Sequence, residues 1–292
     1  MHLISQNNIR YRSLVLRIHF ICWHFVRRLL VVRFFLGLLI GILVTINFYQ
    51  SQSSTDKLKF RPDQLNFEYD KKRLAFNNIN QTSSSIWNDS WDGIRHESQW
   101  LRHLYLIRHG QYFDHAINEE DKKLTSLGKE QLEYTGKRLK QMNIKFDRLI
   151  HSGMVRAFES ASIINQQFDH QFELIEDQNL AEGLPVAPIP YAGISQHDVD
   201  AYGHKLRIDK AFETYFHRAR NDQYKETHDI IVFHANVLRY FICKIMQFPV
   251  EAWLRIVLNH GSITKIIILG NGDVLLIGVG DSGFMPTNKL TF

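Results

Sequence analysis

An apolar run over residues 103–107 ends directly in Arg108, His109 and Gly110. A run of this length predicts a buried β-strand, and the glycine lets the backbone after it approach a ligand closely. The strand end therefore offers a cation and an imidazole at one loop, which is the outline of a phosphate site. Because such a tripeptide also arises by chance, other parts of the sequence have to supply the partners.

Two further strand ends carry polar residues of the same kind. Residues 146–152 predict a second short strand, and the helical pattern after it has Arg156 in its first turn. Residues 230–233 predict a third strand, which His234 separates from the next helical pattern. Ligands of open α/β sheets bind beyond the carboxyl ends of parallel strands. We therefore expect the three strand ends to meet at one edge of a sheet.

The alternation of strands and helices predicts a three-layer α/β/α sandwich around a mainly parallel sheet. The run 184–194 contains three prolines and predicts a loop over the site, where loops commonly set substrate specificity. The remaining predicted elements are helices over residues 126–142, 154–166 and 237–247, and a terminal hairpin over residues 263–269 and 274–279.

Short motifs follow one another along the chain in a fixed order, at residues 106–110, 124–131, 151–157, 181–183 and 234–237. Their order resembles that of the histidine phosphatase (phosphoglycerate mutase-like) superfamily. Further stretches resemble its branch of mitochondrial serine/threonine-protein phosphatases, at residues 207–219, 238–240, 247–255 and 280–286. The resemblance is dense over residues 101–292, which predicts a catalytic domain there, and sparse upstream.

This resemblance implies a role for each candidate residue. His109 would be the nucleophile that forms a phosphohistidine, and it must be neutral to attack. Arg108 and Arg156 would bind phosphate oxygens with their planar guanidinium groups. His234 would hold a phosphate oxygen and stabilise charge during transfer. Glu182 would protonate the leaving alcohol and then help to activate water.

One position near the site departs from the family pattern. The family usually has an arginine before the Glu-Gly pair, and this chain has Ala181 there. The carboxylate of Glu182 remains, so catalysis is expected, but its orientation or phosphoprotein recognition is put in doubt. No Cys/His spacing in the chain is typical of zinc, so we expect neither a metal nor a cofactor.

The amino-terminal part predicts a membrane anchor. No acidic residue precedes Asp56, while several arginines lie between apolar residues, which is typical of a mitochondrial targeting segment over residues 1–33. Residues 34–49 form the core of a transmembrane helix whose full span is about 29–49, or about 20 residues, enough to cross a bilayer. Arg33 lies near the start of that span, where its charge can reach the headgroups.

A secretory signal is the alternative interpretation of this segment. Its apolar core normally follows a short basic region, whereas here the uncharged run begins only at Phe34. The sequons at Asn80 and Asn88 would matter only in that case, and two cysteines provide no disulfide framework. We expect a single-pass protein of a mitochondrial membrane, with the outer membrane favoured and the inner membrane left open.

Residues 50–100 predict a flexible tether that is polar over most of its length and contains a tryptophan-rich motif at 87–92. Two tryptophans in a polar segment are costly to leave in water. The motif resembles the family's self-assembly motif, which predicts a homo-oligomer, and docking of Trp91 onto its own domain is the alternative. The residues that match the assembly motif are Trp87, Trp91 and Asp92, and those that depart from it are Asn88 and Ser90.

Three functions are compatible with the sequence. The first is a membrane-anchored protein serine/threonine phosphatase in mitochondrial stress or kinase signalling, and the resemblance suggests an apoptosis signal-regulating MAP kinase kinase kinase as its phosphoprotein substrate. The second is a small-metabolite phosphatase or phosphoglycerate mutase, and the third is a non-catalytic membrane scaffold. The net charge of +5 owes much to arginines that suit anionic lipids, so we expect no nucleic-acid partner.

Overall fold

The computed structural model describes residues 87–292. The predicted targeting segment, the membrane anchor and most of the tether lie outside the described residues. Within residues 87–292, no helix combines the length and the apolar character needed to cross a bilayer. The described part of the chain is built around one six-stranded sheet.

The sheet is mixed, and most of its strand pairs are parallel. Its strands are β1 Arg102–Arg108, β2 Arg148–His151, β3 Leu174–Glu176, β4 Thr227–Phe233, β5 Ile263–Ile268 and β6 Val274–Asp281. Their order across the sheet is β3-β2-β4-β1-β5-β6. The first four of these are mutually parallel, whereas β5 and β6 add an antiparallel hairpin at one side. The predicted terminal hairpin is therefore present.

Helices cover both faces of the sheet. They are α1 Ser126–Gln141, α2 Val155–Gln167, α3 Gln196–Tyr202, α4 Lys205–Tyr215 and α5 Ala235–Ile245. Parallel strands need such crossover connections, because the chain has to return to the same end of the sheet each time.

The alternation of side chains along β1 divides the core into two layers. Leu104 and Leu106 pack into the cluster formed with α4 and α5, whereas Tyr105 and Ile107 pack into the cluster formed with α1 and α2. All four side chains are fully buried. A strand that is covered on both faces has a nearly continuous run of apolar residues, and such a run in the sequence predicted β1.

Most predicted elements agree with the structure to within one to three residues at each end. The helix after β4 begins at Ala235, earlier than predicted, and His234 occupies its N-cap position in an extended conformation. Residues 184–194 contain no helix or strand, as predicted. The sequence pattern did not predict β3, which is only three residues long, or the helices α3 and α4.

Candidate active site

Three strand ends meet at the carboxyl edge of the parallel part of the sheet. Arg108 is the last residue of β1, Arg156 lies in the first turn of α2 after β2, and His234 caps α5 after β4. The His109 ring lies 5.0 Å from the His234 ring, measured between ring centroids. The Arg156 guanidinium lies 4.8 Å from the centre of the Tyr112 ring, which in turn is 5.0 Å from the His109 ring. The structure thus brings together the residues that the sequence placed at separate strand ends.

His109 is held in a conformation that suits a nucleophile. Its Nδ1 lies 2.8 Å from the carbonyl oxygen of Gly110, and its backbone N–H donates to the carbonyl of Phe233 at 3.0 Å. A carbonyl oxygen only accepts hydrogen bonds, so Nδ1 carries the proton and Nε2 keeps its lone pair. Burial, followed by the nearby His234 and the arginines, lowers the pKa of His109 well below its usual value. The imidazole is therefore neutral at pH 7.

Arg156 is buried and Arg108 is partly buried, and each has a buried Nε–H without a hydrogen-bond partner among residues 87–292. Arg108 donates to the carbonyl of Leu258 at 2.5 Å and to Nε2 of His260 at 2.9 Å. Arg156 donates to the carboxylate of Glu119 at 3.1 Å. Burial lowers the pKa of Arg108 to about 10, so it stays charged at neutral pH. Buried N–H groups are nearly always paired, so these unpaired donors are suited to an anion.

Glu182 lies in the loop before the proline-rich run, and it reaches the start of α5. Its carboxylate accepts from the backbone N–H of Gly183 at 2.9 Å and from that of Asn236 at 3.5 Å. Desolvation raises the pKa of this carboxyl above its usual value, although both hydrogen bonds and the nearby arginines oppose the shift. A carboxyl with a raised pKa is suited to give up a proton and to take it back.

His234 is fully buried beside the same space. Its Nε2 lies 2.7 Å from the hydroxyl of Ser152, and its Nδ1 has no hydrogen-bond partner among the described residues. Burial lowers the pKa of His234 well below its usual value. When the Ser152 hydroxyl donates to Nε2, Nδ1 carries the proton and offers it to an anion.

Several residues of the site were not predicted from the sequence. The His260 ring lies 5.6 Å from the His109 ring, and burial lowers the pKa of His260 to about 3. Its position was open to inference, because the antiparallel β5 begins where β1 ends and His260 shortly precedes β5. Tyr112 and Glu119 follow the first motif closely, but nothing in their spacing indicates a contact with Arg156.

The tryptophan-rich segment lies on the surface of the domain. The indole N–H of Trp91 donates to the carbonyl of Gly272 at 2.7 Å, and its ring meets Phe212 of α4 edge-on at 6.2 Å between centroids. Asp92 forms a buried ion pair with Arg218, with Nε and Oδ2 2.9 Å apart. In this single chain, Trp91 and Asp92 are therefore docked onto their own domain, as the alternative to assembly predicted for Trp91. The role of these residues and Trp87 in assembly stays a prediction.

One group of side chains in residues 87–292 could offer three ligand atoms to a metal ion: His103, Glu226 and His228, whose atoms lie within 4.8 Å of one another. Nε2 of His103 already contacts the Glu226 carboxylate, and the two imidazole rings stack at 4.2 Å between centroids. The group lies at the amino ends of β1 and β4, so it is outside the candidate site.

The fold and the site together define a class of protein. A neutral buried imidazole, two arginines with open donors, a second imidazole and a carboxyl with a raised pKa are the parts required to transfer a phosphoryl group through a histidine. The family model described as "Histidine phosphatase superfamily (branch 1)" matches residues 104–277, and the chain belongs to this superfamily. It is accordingly an enzyme of the histidine phosphatase type, a phosphoric monoester hydrolase.

Curated relatives carry a more specific name. "Serine/threonine-protein phosphatase Pgam5, mitochondrial" from Drosophila virilis is 44% identical over 199 residues, which is 68% of this chain and 69% of that protein. The protein of the same name from Drosophila mojavensis is 41% identical over 229 residues, 77% of this chain and 79% of that protein. Among solved structures, phosphoglycerate mutase from Plasmodium falciparum is 31% identical with a TM-score of 0.45, and the match covers 66% of this chain and 99% of that one.

Proposed function

We propose that this chain is a protein serine/threonine phosphatase that works through a phosphohistidine on His109. The observation that carries the proposal is the fixed imidazole of His109, whose Nδ1–H is bound to the Gly110 carbonyl so that Nε2 is free to attack. The names of the curated relatives support serine and threonine phosphate as the substrate.

The first half of the reaction transfers the phosphoryl group to the enzyme. A phosphate monoester is a dianion that repels nucleophiles, and Arg108 and Arg156 neutralise it. At about 4 Å and an effective dielectric of about 20, each cation contributes roughly 4 kcal/mol before desolvation is subtracted. Nε2 of His109 attacks phosphorus while the bond to the serine oxygen breaks. Glu182 gives its proton to the departing oxygen, and His234 donates from Nδ1 to a phosphate oxygen.

The second half returns the enzyme to its starting state. The carboxylate of Glu182 takes a proton from a water molecule, whose oxygen attacks the phosphorus of the phosphohistidine. The N–P bond breaks, inorganic phosphate leaves, and His109 is again a neutral imidazole. Glu182 then carries the proton needed for the next leaving group.

A substrate panel tests this proposal. We expect the full-length chain to release phosphate from phosphoserine and phosphothreonine peptides, with kcat/KM well above that for 3-phosphoglycerate. His109→Ala is the matched control and should be inactive on every substrate. A preference for 3-phosphoglycerate would instead support the metabolite enzyme, and absence of turnover on the whole panel would support the scaffold.

We further propose that the catalytic domain, residues 101–292, is held at a mitochondrial membrane through residues 29–49, with residues 1–33 for targeting and 50–100 as the tether. The outer membrane is favoured. The basic, acid-poor amino-terminal sequence and the mitochondrial names of the relatives support a mitochondrial location, without distinguishing the two membranes. A phosphorylated kinase of the apoptosis signal-regulating type is the proposed substrate in stress signalling.

The placement has a direct test. The full-length chain should stay in the membrane pellet after carbonate extraction of mitochondria. A variant that lacks residues 1–49, and with them the targeting segment, should appear in the soluble fraction of the cell. Recovery of the full-length chain in the supernatant, or glycosylation at Asn80 or Asn88, would overturn it.

A further inference from the structure

The loop that carries Glu182 is bound by an arginine from another element. Arg207 lies in the first turn of α4. Its Nη1 donates to the carbonyl of Ala181 at 2.6 Å and to that of Asn179 at 3.2 Å, and its Nη2 donates to the carbonyl of Glu182 at 2.7 Å. One planar guanidinium thus binds three carbonyl groups within four consecutive residues.

The backbone after Glu182 is bound from the same helix end. The N–H of Leu184 donates at 3.2 Å to Nδ1 of His204, the residue directly before α4. A Cβ atom on Gly183 would lie 2.7 Å from both Arg207 Nη2 and His204 Nδ1, closer than real Cβ atoms approach other atoms. A side chain at position 183 would therefore have to displace Arg207 or His204, and the loop is held on both sides of Glu182.

This attachment determines where the carboxyl of Glu182 lies. The carboxylate accepts from the N–H of Gly183 and from that of Asn236 at the start of α5, so it is well placed only while the loop keeps its path. The two terminal nitrogens of Arg207 are committed to carbonyl groups. Arg207 therefore acts on the loop, whereas Arg108 and Arg156 keep open donors for the substrate.

A second arginine provides a contrast in the same neighbourhood. Burial lowers the pKa of Arg239 of α5, and the charge of Glu182 opposes this shift. The same two effects act on the pKa of Arg207. Arg239 donates to the side chain of Asn236 at 3.3 Å, and its buried Nε–H, like those of Arg108 and Arg156, has no partner among the described residues. Within residues 87–292 it makes no hydrogen bond to residues 179–184. Arg239 thus shares the charge of Arg207 without the attachment to the loop.

We propose that Arg207 is a positioning residue for the general acid Glu182, which it serves by binding the carbonyl groups of Asn179, Ala181 and Glu182. The inference rests on the proposed function, since it requires Glu182 to deliver a proton.

Leaving-group dependence tests the inference in the full-length chain. We expect Arg207→Ala to lower kcat/KM on a phosphoserine peptide at least about tenfold more than on p-nitrophenyl phosphate, whose leaving group departs without a proton. This selective loss is a part of the roughly 10² to 10⁴ that general acid–base catalysis contributes. Arg207→Lys keeps the charge but not the planar fork, so it should show a smaller selective loss.

Arg239→Ala is the matched control, because it removes a neighbouring cation and leaves the loop attached. Any loss in this variant should be the same on both substrates. Thermal melting of each variant shows whether it is folded, and Arg207→Lys keeps the test decisive if Arg207→Ala does not fold. A merely structural role of Arg207 would lower the activity on both substrates equally.

A double-mutant cycle with Glu182→Gln completes the experiment. If Arg207 acts through Glu182, adding Arg207→Ala to Glu182→Gln should produce no further selective loss. Selective loss in Glu182→Gln together with equal losses in both Arg207 variants would overturn the positioning role and leave the acid role intact. Equal losses in Glu182→Gln itself would show that the proposed acid role has failed.

Discussion

The two ends of the central sheet both contain buried arginines, but those arginines have different partners. At the amino end, Arg102 is buried 3.4 Å from the carboxylate of Asp229, and the more exposed Arg148 donates to both oxygens of that carboxylate at 2.8 and 2.5 Å. At the carboxyl end, Arg108 donates to a carbonyl and an imidazole, and within residues 87–292 it forms no ion pair. Arg156 pairs with Glu119, whose side chain is more than half exposed.

Whether a buried arginine is available to bind an anion depends on its partner more than on its burial. Burial lowers the pKa of Arg102 and of Arg108 alike to about 10. The carboxylate of Asp229 compensates the charge at the amino end, so the arginines there are structural. At the carboxyl end the compensation of charge is incomplete, which is costly for the folded chain and suits the proposed binding of a phosphate anion.

The largest expected effect is a loss of unfolding free energy in Asp229→Ala, at the amino end of the sheet. The substitution leaves Arg102 buried without its carboxylate, and breaking a buried pair in this way costs about 3–5 kcal/mol. We expect urea unfolding to show a loss of this size, while kcat per folded molecule changes by less than about twofold. A large loss of kcat with unchanged stability would contradict the division between the two ends.

Arg156→Lys should show the opposite pattern. Lysine keeps the charge but loses the planar fork, and removing one well-placed donor of a transition state typically costs about 10² to 10³ in rate. We expect kcat/KM on a phosphoserine peptide to fall by about 10², with the unfolding free energy within about 1 kcal/mol of the wild type. A stability loss as large as that of Asp229→Ala would place Arg156 among the structural arginines.

Buried histidines at both ends of the sheet should make the stability of the fold depend on pH. Burial lowers the pKa of His260 at the carboxyl end to about 3 and that of His228 at the amino end to about 4. Between these values and about 6.5, the unfolded chain binds protons that the folded chain excludes, so stability falls as the pH falls. His260→Asn and His228→Asn should each flatten this slope in urea unfolding measured from pH 7 to pH 4. An unchanged slope in either variant would mean that its histidine takes up a proton in the folded state.

The smallest expected effect concerns the tryptophan-rich segment, which contacts α4 and supplies nothing to the candidate site. Changing Trp87 and Trp91 to Ala should lower particle mass in light scattering if the motif joins subunits. It should also lower the melting temperature, because the Trp91 ring packs against Phe212. Phe172→Leu changes a partly buried side chain in the other core cluster and is a control for stability alone. Unchanged mass with a lowered melting temperature would leave only the docking role.

The local sequence pattern predicted which candidate residues would meet at one edge of the sheet. His109, Arg156 and His234 each follow an apolar strand closely, and parallel strands bring their carboxyl ends to one edge. Their meeting could therefore be predicted without knowledge of the strand order. The outcome for Trp91 could not, because a tryptophan in a polar segment gains from burial against its own domain or against another subunit.

The sequence by itself determined the alternation of strands and helices and the chemistry at the strand ends, because both are carried by residues that are neighbours along the chain. The tertiary structure alone decided which arginine is compensated by Asp229, which one contacts His260, and that Arg207 reaches the loop of Glu182. These contacts join residues 25 to 152 positions apart. These contacts depend on how strands and helices pack against one another in space, and a local sequence pattern does not predict that packing.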